Sequence, residues 1–317
     1  MRYLEPMNAY VGIDVACAKG KRLPIMICTR GSAGLRLLPL KEFAHHPPQG
    51  EGNAQAIHTA FLQRFADKTA AYLRAIEGAF GVTIRRIAID APSRPKTAGY
   101  DERECERALR TIGVSYISTP SGDEFEAIRR KVEQHLAAGG SEAHIPHANQ
   151  LWMLVGFALF GRLRDTWECI EVFPQATAHT MGAARIHKSK PGGVQYQLDA
   201  AARYTRSSGK MIVSELSGAC FGKPDDRSDA YLSAWIASLD EHEREPLGPA
   251  GTDAIWIPKL SACKQFATDA NVGDLLPRHS KSAPFPISGV QRSCPRLARP
   301  HQSPSPRWEQ STVRATV

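Results

Sequence analysis

The sequence predicts an α/β fold in which one mixed sheet of five strands carries helices on both faces. Residues 8–43 hold three strand-like segments, separated by the turn-like tripeptides Lys-Gly-Lys and Arg-Gly-Ser. Two further apolar segments follow, and a helical segment precedes each of them. Apolar residues make up 42% of the 317 residues, which is enough to cover a sheet on both sides.

Each element is predicted from its pattern and its ends. The strands are predicted at Tyr10–Ala16, Leu23–Thr29, Leu35–Phe43, Ile84–Ala91 and Trp167–Phe173, with a short addition at Ala254–Pro258. The helices are predicted at 53–80, 102–111, 149–164, 197–205 and 226–239. Gly81 ends the first helix, and Pro92 and Pro174 follow the fourth and fifth strands, as helix-ending and strand-ending residues do.

The order of these elements predicts the topology. Three hairpin-connected strands form an antiparallel meander, and the last two strands are reached by helical crossovers. Right-handed crossovers place strands four and five parallel to strand one, on its free side. The predicted strand order is therefore 3-2-1-4-5, which is the ribonuclease H-like (RNase H-like) arrangement.

The chain divides into a folded part and a tail. Residues 1–259 are predicted to form the RNase H-like domain, with a polar helical and loop insertion at about 93–148. Residues 260–317 contain seven prolines and no periodicity, and we predict that they are disordered. Eight Lys and Arg against three Asp and Glu give this tail +5 of the net charge of +8. The basic charge of the folded part therefore gives little indication of a nucleic-acid partner.

Several protein classes are excluded by composition. No apolar run reaches the roughly 18 residues of a membrane span. The N-terminus lacks the apolar region of a secretory signal. Seven scattered cysteines without Cys-x-x-Cys spacing argue against a disulfide framework and a zinc site. A cytoplasmic location is expected.

Isolated carboxylates in apolar strands are the candidate site residues. Asp14, Asp90 and Glu171 each stand in or at the end of a predicted strand, where an unpaired carboxylate is costly to desolvate. Asp226 and Asp229 share one face of the last helix. If these elements converge, the carboxylates would hold Mg²⁺ or Mn²⁺, as two ions that activate water against a phosphodiester.

At these positions the sequence resembles the DUF429 family, which consists of predicted nucleases with an RNase H-like fold. The matching motifs, over residues 8–259, are Gly-Ile-Asp at 12–14, Ile-Asp-Ala-Pro at 89–92, Arg-x-Cys-Glu at 103–106, Glu-Val-Phe-Pro at 171–174, Lys-Ser-Lys-x-Gly at 188–192 and Asp-x-x-Asp-Ala at 226–230. The resemblance implies a metal-dependent nuclease whose catalytic carboxylates are Asp14, Asp90, Glu171 and Asp229, with Asp226 as a further metal ligand. It also implies substrate phosphate contacts by Arg103, Arg110, Lys188 and Lys190. Gln175 departs from the family pattern, in which an acid often follows the proline.

Plainer interpretations of the same residues stay open. Asp14 and Asp90 would then bond backbone N–H groups at strand ends. Glu171 would form an ion pair with Arg162 or Arg164. Asp225 would be the N-cap of the last helix.

Three functional hypotheses follow. The first is a two-metal nuclease acting on DNA or RNA. The second is an ATP-binding phosphotransferase of the actin and sugar-kinase type, although no second β-β-β-α unit follows residue 200. The third is a nucleic-acid-binding module without catalysis, which the glutamine at position 175 would permit.

Overall fold

The computed structural model describes residues 7–205 and 209–266, and within them it shows seven strands and eight α-helices around one sheet. The strands are β1 (Met7–Asp14), β2 (Ile25–Gly31), β3 (Gly34–Leu37), β4 (Val82–Asp90), β5 (Glu168–Val172), β6 (Arg244–Leu247) and β7 (Ile255–Pro258). The helices are α1 (Thr59–Phe80), α2 (Glu104–Thr111), α3 (Gly122–Ala137), α4 (Ala148–Leu163), α5 (Pro174–Thr180), α6 (Gly193–Thr205), α7 (Gly209–Ala219) and α8 (Pro224–Ser238).

The strand order is β3-β2-β1-β4-β5-β7-β6, which confirms the predicted order of the first five strands. β1, β2 and β3 pair antiparallel as a meander, whereas β4 lies parallel to β1 and β5 lies parallel to β4. β7 extends the sheet in parallel beyond β5, and β6 pairs antiparallel with β7 at the edge. The C-terminal ends of β1, β4 and β5 therefore meet at one edge of the sheet.

Helices cover both faces of the sheet, as predicted. On one face, Ile13 and Ile89 belong to a buried cluster with apolar side chains of α1 and α4. On the other face, Ala88 and Ile170 pack with α6, α7 and α8. Because side chains alternate along a strand, Gly12 and Asp14 share the α8 face with Ala88 and Asp90.

Local sequence explains where several elements end. α1 stops at Gly81, which adopts the left-handed conformation with φ of 62°, as the sequence predicts. β2 and β3 join through a two-residue turn between the paired Gly31 and Gly34. α8 begins at Pro224, a favourable first helical residue because its missing N–H would have had no helical acceptor.

Three helices and one strand were not predicted from the sequence. α3 carries a Ser-x-x-Glu capping box, in which the Ser121 hydroxyl accepts the Glu124 N–H and the Glu124 carboxylate accepts the Ser121 N–H. This motif, together with the apolar spacing of its buried residues, was a readable helix signal. β6 has the sequence Arg-Glu-Pro-Leu, whose proline restricts it to a sheet edge and whose pattern does not alternate. α5 and α7 were also missed.

The predicted tail lies almost entirely outside the described residues. Of residues 260–317, only 260–266 are described; they begin with a turn at 260–262, and Cys263 is buried in the cluster on the α8 face. Within residues 7–205 and 209–266, no helix is both long enough and apolar enough to cross a membrane.

Candidate metal centre

The register between β1 and β4 sets Asp14 beside Asp90. The two residues are direct partners at the ends of their strands. One extra residue, Arg85, interrupts the pairing between Ala9 and Tyr10 of β1. Without this bulge Asp14 would pair with Ile89, and the two carboxylates would lie on opposite faces. The bulge therefore places both carboxylates on the α8 face.

Gly12 brings α8 close to this edge of the sheet. A Cβ atom on Gly12 would lie 2.0 Å from the Ala230 carbonyl oxygen and 2.3 Å from the Ala234 amide nitrogen. Only a residue without a side chain permits this approach. Asp229 precedes Ala230 on the helix, so the close crossing positions its carboxylate over the strand ends.

Replacing Gly12 by alanine should therefore push α8 away from β1. We expect the free energy of unfolding to fall by about 1–3 kcal/mol, as for other overpacked interiors. Urea denaturation measures this effect. Gly31→Ala is the matched control, because a Cβ on this strand glycine would meet no atom within 4 Å. Equal losses in the two variants would contradict the close-packing account.

Asp14, Asp90 and Asp229 form a carboxylate cluster. One oxygen of each lies within 4.8 Å of one oxygen of each of the others. Asp229 is 3% exposed, and its Oδ2 accepts a hydrogen bond from the Lys188 ammonium group in the loop between α5 and α6. Among the described residues, its buried Oδ1 has no hydrogen-bond partner. The cluster thus contains three acids, one cation and one unsatisfied oxygen.

The electrostatics of this carboxylate cluster are unfavourable in the absence of a further cation. Burial raises the pKa of Asp14 well above its ordinary value, and the Asp90 carboxylate raises it further. Burial, with a smaller effect from Glu171, raises the pKa of Asp90 to about 7. Lys188 lowers both pKa values but does not restore them. Oxygen donors in this arrangement could hold a hard divalent metal ion.

Glu171 is not part of the carboxylate cluster. It pairs with Ile89 in the sheet, so its side chain leaves β5 on the face opposite to Asp90. Its Oε1 accepts a hydrogen bond from Arg103 at 2.9 Å, and its Oε2 accepts one from Arg103 and one from the Ser93 N–H, both at 2.7 Å. The ion pair suggested by the plainer interpretation exists, but the partner is Arg103 rather than Arg162 or Arg164.

Arg103 is buried, which corrects its prediction as a substrate phosphate contact. Its side chain is 2% exposed, and all its described charge partners are internal. Besides Glu171, it donates two hydrogen bonds to Asp253 Oδ1, at 2.6 and 2.9 Å. Asp253 Oδ2 accepts the Glu104 N–H at 2.8 Å and so holds the start of α2. We call Arg103, Glu171 and Asp253 the buried ion network.

Opposing effects act on the carboxylates of the buried ion network. Burial raises the pKa of Glu171 on balance, although Arg103 lowers it. Burial also acts upward on Asp253, but Arg103 and the hydrogen bonds around it hold its pKa below the ordinary value. Asp253 could not be predicted as a site residue, because it stands in the turn-forming segment Gly-Thr-Asp and 150 residues separate it from Arg103.

The remaining predicted residues lie around the carboxylate cluster rather than in it. Asp226 accepts the Lys223 N–H at 2.9 Å and closes the first turn of α8, so Lys223, not Asp225, is the N-cap. Arg110 is 66% exposed and pairs with Glu102 at 2.5 Å. Lys190 is exposed in the α5–α6 loop.

A basic surface that the sequence analysis did not identify adjoins the carboxylate cluster. The Arg22 guanidinium and the Lys41 ammonium group each lie 5.7 Å from the centre of the Phe221 ring. A Cβ on Gly222 would lie 3.1 Å from Pro24, whose carbonyl accepts the Asp14 N–H. The basic surface, defined by Arg22, Lys41 and Phe221, is therefore next to β1 and the start of α8.

Comparison with known proteins gives one family. The sequence profile described as "Protein of unknown function (DUF429)" matches residues 12–249. No curated protein matches the chain. Among solved structures, the crystal structure of the yeast mitochondrial Holliday junction resolvase is similar with a TM-score of 0.35 and 10% sequence identity, covering 73% of this chain and 77% of that chain.

Proposed function

This chain belongs to the DUF429 family of proteins of unknown function, and we propose that it is a metal-dependent nuclease that hydrolyses phosphodiester bonds in DNA or RNA. The observation that carries the proposal is the convergence of Asp14, Asp90 and Asp229 from three elements. Three carboxylates with one lysine leave net negative charge and an unsatisfied oxygen, which a divalent cation would neutralise.

Mg²⁺ and Mn²⁺ fit the donor set, because both prefer carboxylate oxygens. When bound, such an ion would polarise the phosphodiester and stabilise the leaving oxygen. The role of Asp14, Asp90 and Asp229 is to fix the ion on rigid strand and helix backbone. The two-ion arrangement stays a prediction, and Glu171, bound to Arg103, would support the site from behind rather than as a direct ligand.

The charged groups around the centre support a polyanionic substrate. Lys188 contacts the carboxylate cluster, and Lys190 stands exposed two residues further along the same loop. We propose that Lys188 turns from Asp229 to a substrate phosphate when a metal ion replaces it. The basic surface would hold the backbone on the other side, since Arg and Lys next to an aromatic ring suit phosphates and bases.

The raised carboxylate pKa values predict a pH-dependent metal response. Since protons and metal compete for Asp14 and Asp90, the rise in melting temperature caused by Mn²⁺ should be clearly larger at about pH 8 than at about pH 6. Without metal, a rise in pH should lower the stability of the fold. The pKa of Asp90 is about 7 in the folded state and about 3.8 in the unfolded chain, so the folded state binds the proton more tightly. The free energy of unfolding therefore falls as the pH rises from about 3.8 to about 7. A Mn²⁺ response that does not change with pH would contradict this prediction.

The proposed function is tested by cleavage. The full chain is incubated with labelled single-stranded and double-stranded DNA and RNA, with Mg²⁺, with Mn²⁺ or with EDTA. We expect divalent-dependent cleavage that Asp14→Asn reduces by at least about 100-fold, because loss of a residue that only supports a metal ligand already costs about 10- to 100-fold. Equal cleavage by wild type and Asp14→Asn would exclude the proposed mechanism. Binding of nucleic acid that is indifferent to Mg²⁺ and EDTA, without cleavage, would favour the binding module.

A further inference from the structure

A cavity of about 320 Å³ opens beside the candidate metal centre. Asp90 and the following Ala91 and Pro92 line it, so the cavity adjoins the end of β4 that carries one carboxylate of the cluster. Its volume is at the lower end of the range of about 300–1,000 Å³ for small-molecule pockets. A part of the substrate that enters the cavity would therefore lie close in the chain to a phosphodiester held at the carboxylate cluster.

The other walls are mainly apolar and partly aromatic. Tyr116 and Ile117 come from the loop after α2, Trp152 from α4 and Phe173 from the end of β5. Ile117 is 46% exposed, and Trp152 and Phe173 are half-buried, whereas large apolar side chains in a protein core are usually fully buried. Exposed apolar side chains grouped around a cavity are typical of a binding site.

Most polar side chains that line the cavity already have hydrogen-bond partners among the described residues, and Ser115 and Asp90 are the exceptions. Arg103 is held by the buried ion network. Glu106 accepts hydrogen bonds from Thr119 and from the Arg103 N–H. The Tyr116 hydroxyl donates to Glu102 at 2.5 Å, and the Trp152 indole N–H donates to a backbone carbonyl at 2.9 Å. Tyr116 and Trp152 therefore offer an occupant the flat faces of their rings, while Arg103 and Glu106 make their hydrogen bonds to other residues of the protein.

We infer that the cavity holds one nucleobase, unstacked from its strand, while the adjoining phosphodiester lies at the carboxylate cluster. This inference rests on the proposed function and specifies its substrate class: single-stranded or locally unpaired nucleic acid, with little preference for base identity. A duplex keeps its bases stacked and paired, so it would leave the cavity empty. Stacking on aromatic side chains is favourable for every base and hence tolerant of sequence.

The test measures binding by the full chain to short labelled DNA and RNA strands with hydrolysis-resistant linkages, in Mg²⁺. Each strand is compared with its abasic counterpart and with its duplex. Wild type should bind the intact strand about 5- to 100-fold more tightly than the abasic strand, the range expected for one stacked base. Trp152→Ala should lose this preference, and Trp152→Phe should keep most of it.

Two exposed positions provide further variants. Ile117→Ala should reduce the preference for the intact strand, whereas Val213→Ala, at an aliphatic position of similar exposure on α7, should leave it unchanged. Ile117→Trp would fill the mouth of the cavity from the surface and should abolish the preference. This variant decides the question if Trp152→Ala does not fold.

The result that overturns the inference differs from the result that overturns the proposed function. Equal affinity of wild type for intact and abasic strands would assign the cavity to another occupant, even if metal-dependent cleavage is observed. A preference that survives in both Trp152→Ala and Ile117→Trp would do the same. Absence of any Mn²⁺-dependent melting shift and of cleavage would instead reject the nuclease proposal itself.

Discussion

Asp90→Asn is expected to remove the metal response of the protein and to stabilise the metal-free form. In EDTA at about pH 8, the variant should gain about 1–3 kcal/mol in the free energy of unfolding, because it lacks one of three crowded carboxylates. With Mn²⁺, wild type should rise in melting temperature, by an amount that corresponds to about 2.7 kcal/mol at 100 times the dissociation constant. The variant should show almost none of this rise.

The control for this experiment is Asp101→Asn, at an exposed aspartate outside the carboxylate cluster. It should melt like wild type, with and without Mn²⁺. The opposite pattern, in which Asp90→Asn destabilises the metal-free protein and keeps the Mn²⁺ response, would mean that Asp90 is a strand-end residue that bonds its neighbours. That was the plainer interpretation of the sequence.

Arg103→Met should be strongly destabilising. The substitution leaves Glu171 and Asp253 buried and without their shared cation, and breaking a buried ion pair in this way costs about 3–5 kcal/mol. It also releases the start of α2 from the end of β5. Urea denaturation of the full chain in EDTA measures the loss of stability separately from metal binding.

Arg110→Met is the matched control, since it removes the same type of side chain from α2, which Arg103 caps, but at an exposed ion pair. Its expected cost is about 0–1 kcal/mol. If the two variants lost equal stability, Arg103 would not hold the network together. If Arg103→Met kept its stability and lost only nucleic-acid binding, the original prediction of a phosphate contact would be right after all.

The order of the first five strands could be predicted because it follows from local patterns and one general rule. Hairpin turns fix the meander, and right-handed crossovers fix the side on which β4 and β5 are added. Since the C-terminal ends of parallel strands share an edge, the approach of Asp14 to Asp90 followed from the topology. For Asp229, the helical spacing predicted only a face shared with Asp226, and the approach of that face to the strand ends was a condition of the prediction rather than a result of it.

The position of Glu171 outside the carboxylate cluster could not be predicted, because it depends on the register between β4 and β5 to within one residue. Had Glu171 paired with Asp90 rather than Ile89, its carboxylate would lie on the α8 face and join the carboxylate cluster. Nothing in the apolar runs of β4 and β5 distinguishes these two pairings. The bulge at Arg85, which aligns Asp14 with Asp90, is equally invisible in the sequence.

The burial of Arg103 was also outside the reach of sequence patterns. Helical spacing put it on one face with Arg110, and a charged helix face is usually exposed. Its burial depends on Asp253, which approaches from the loop between β6 and β7. Because β6 itself was not predicted, neither its loop nor the cavity beyond α2 could be placed.

The most direct test of the central claim is a calorimetric titration of the full chain with Mn²⁺ at mildly alkaline pH, in which wild type is compared with Asp90→Asn. We expect saturable binding to wild type and an affinity at least about 10-fold weaker in the variant, because even residues that only support a metal ligand contribute about 10- to 100-fold. Absence of saturable binding to wild type, or equal binding to both proteins, would contradict the assignment of Asp14, Asp90 and Asp229 as a metal centre.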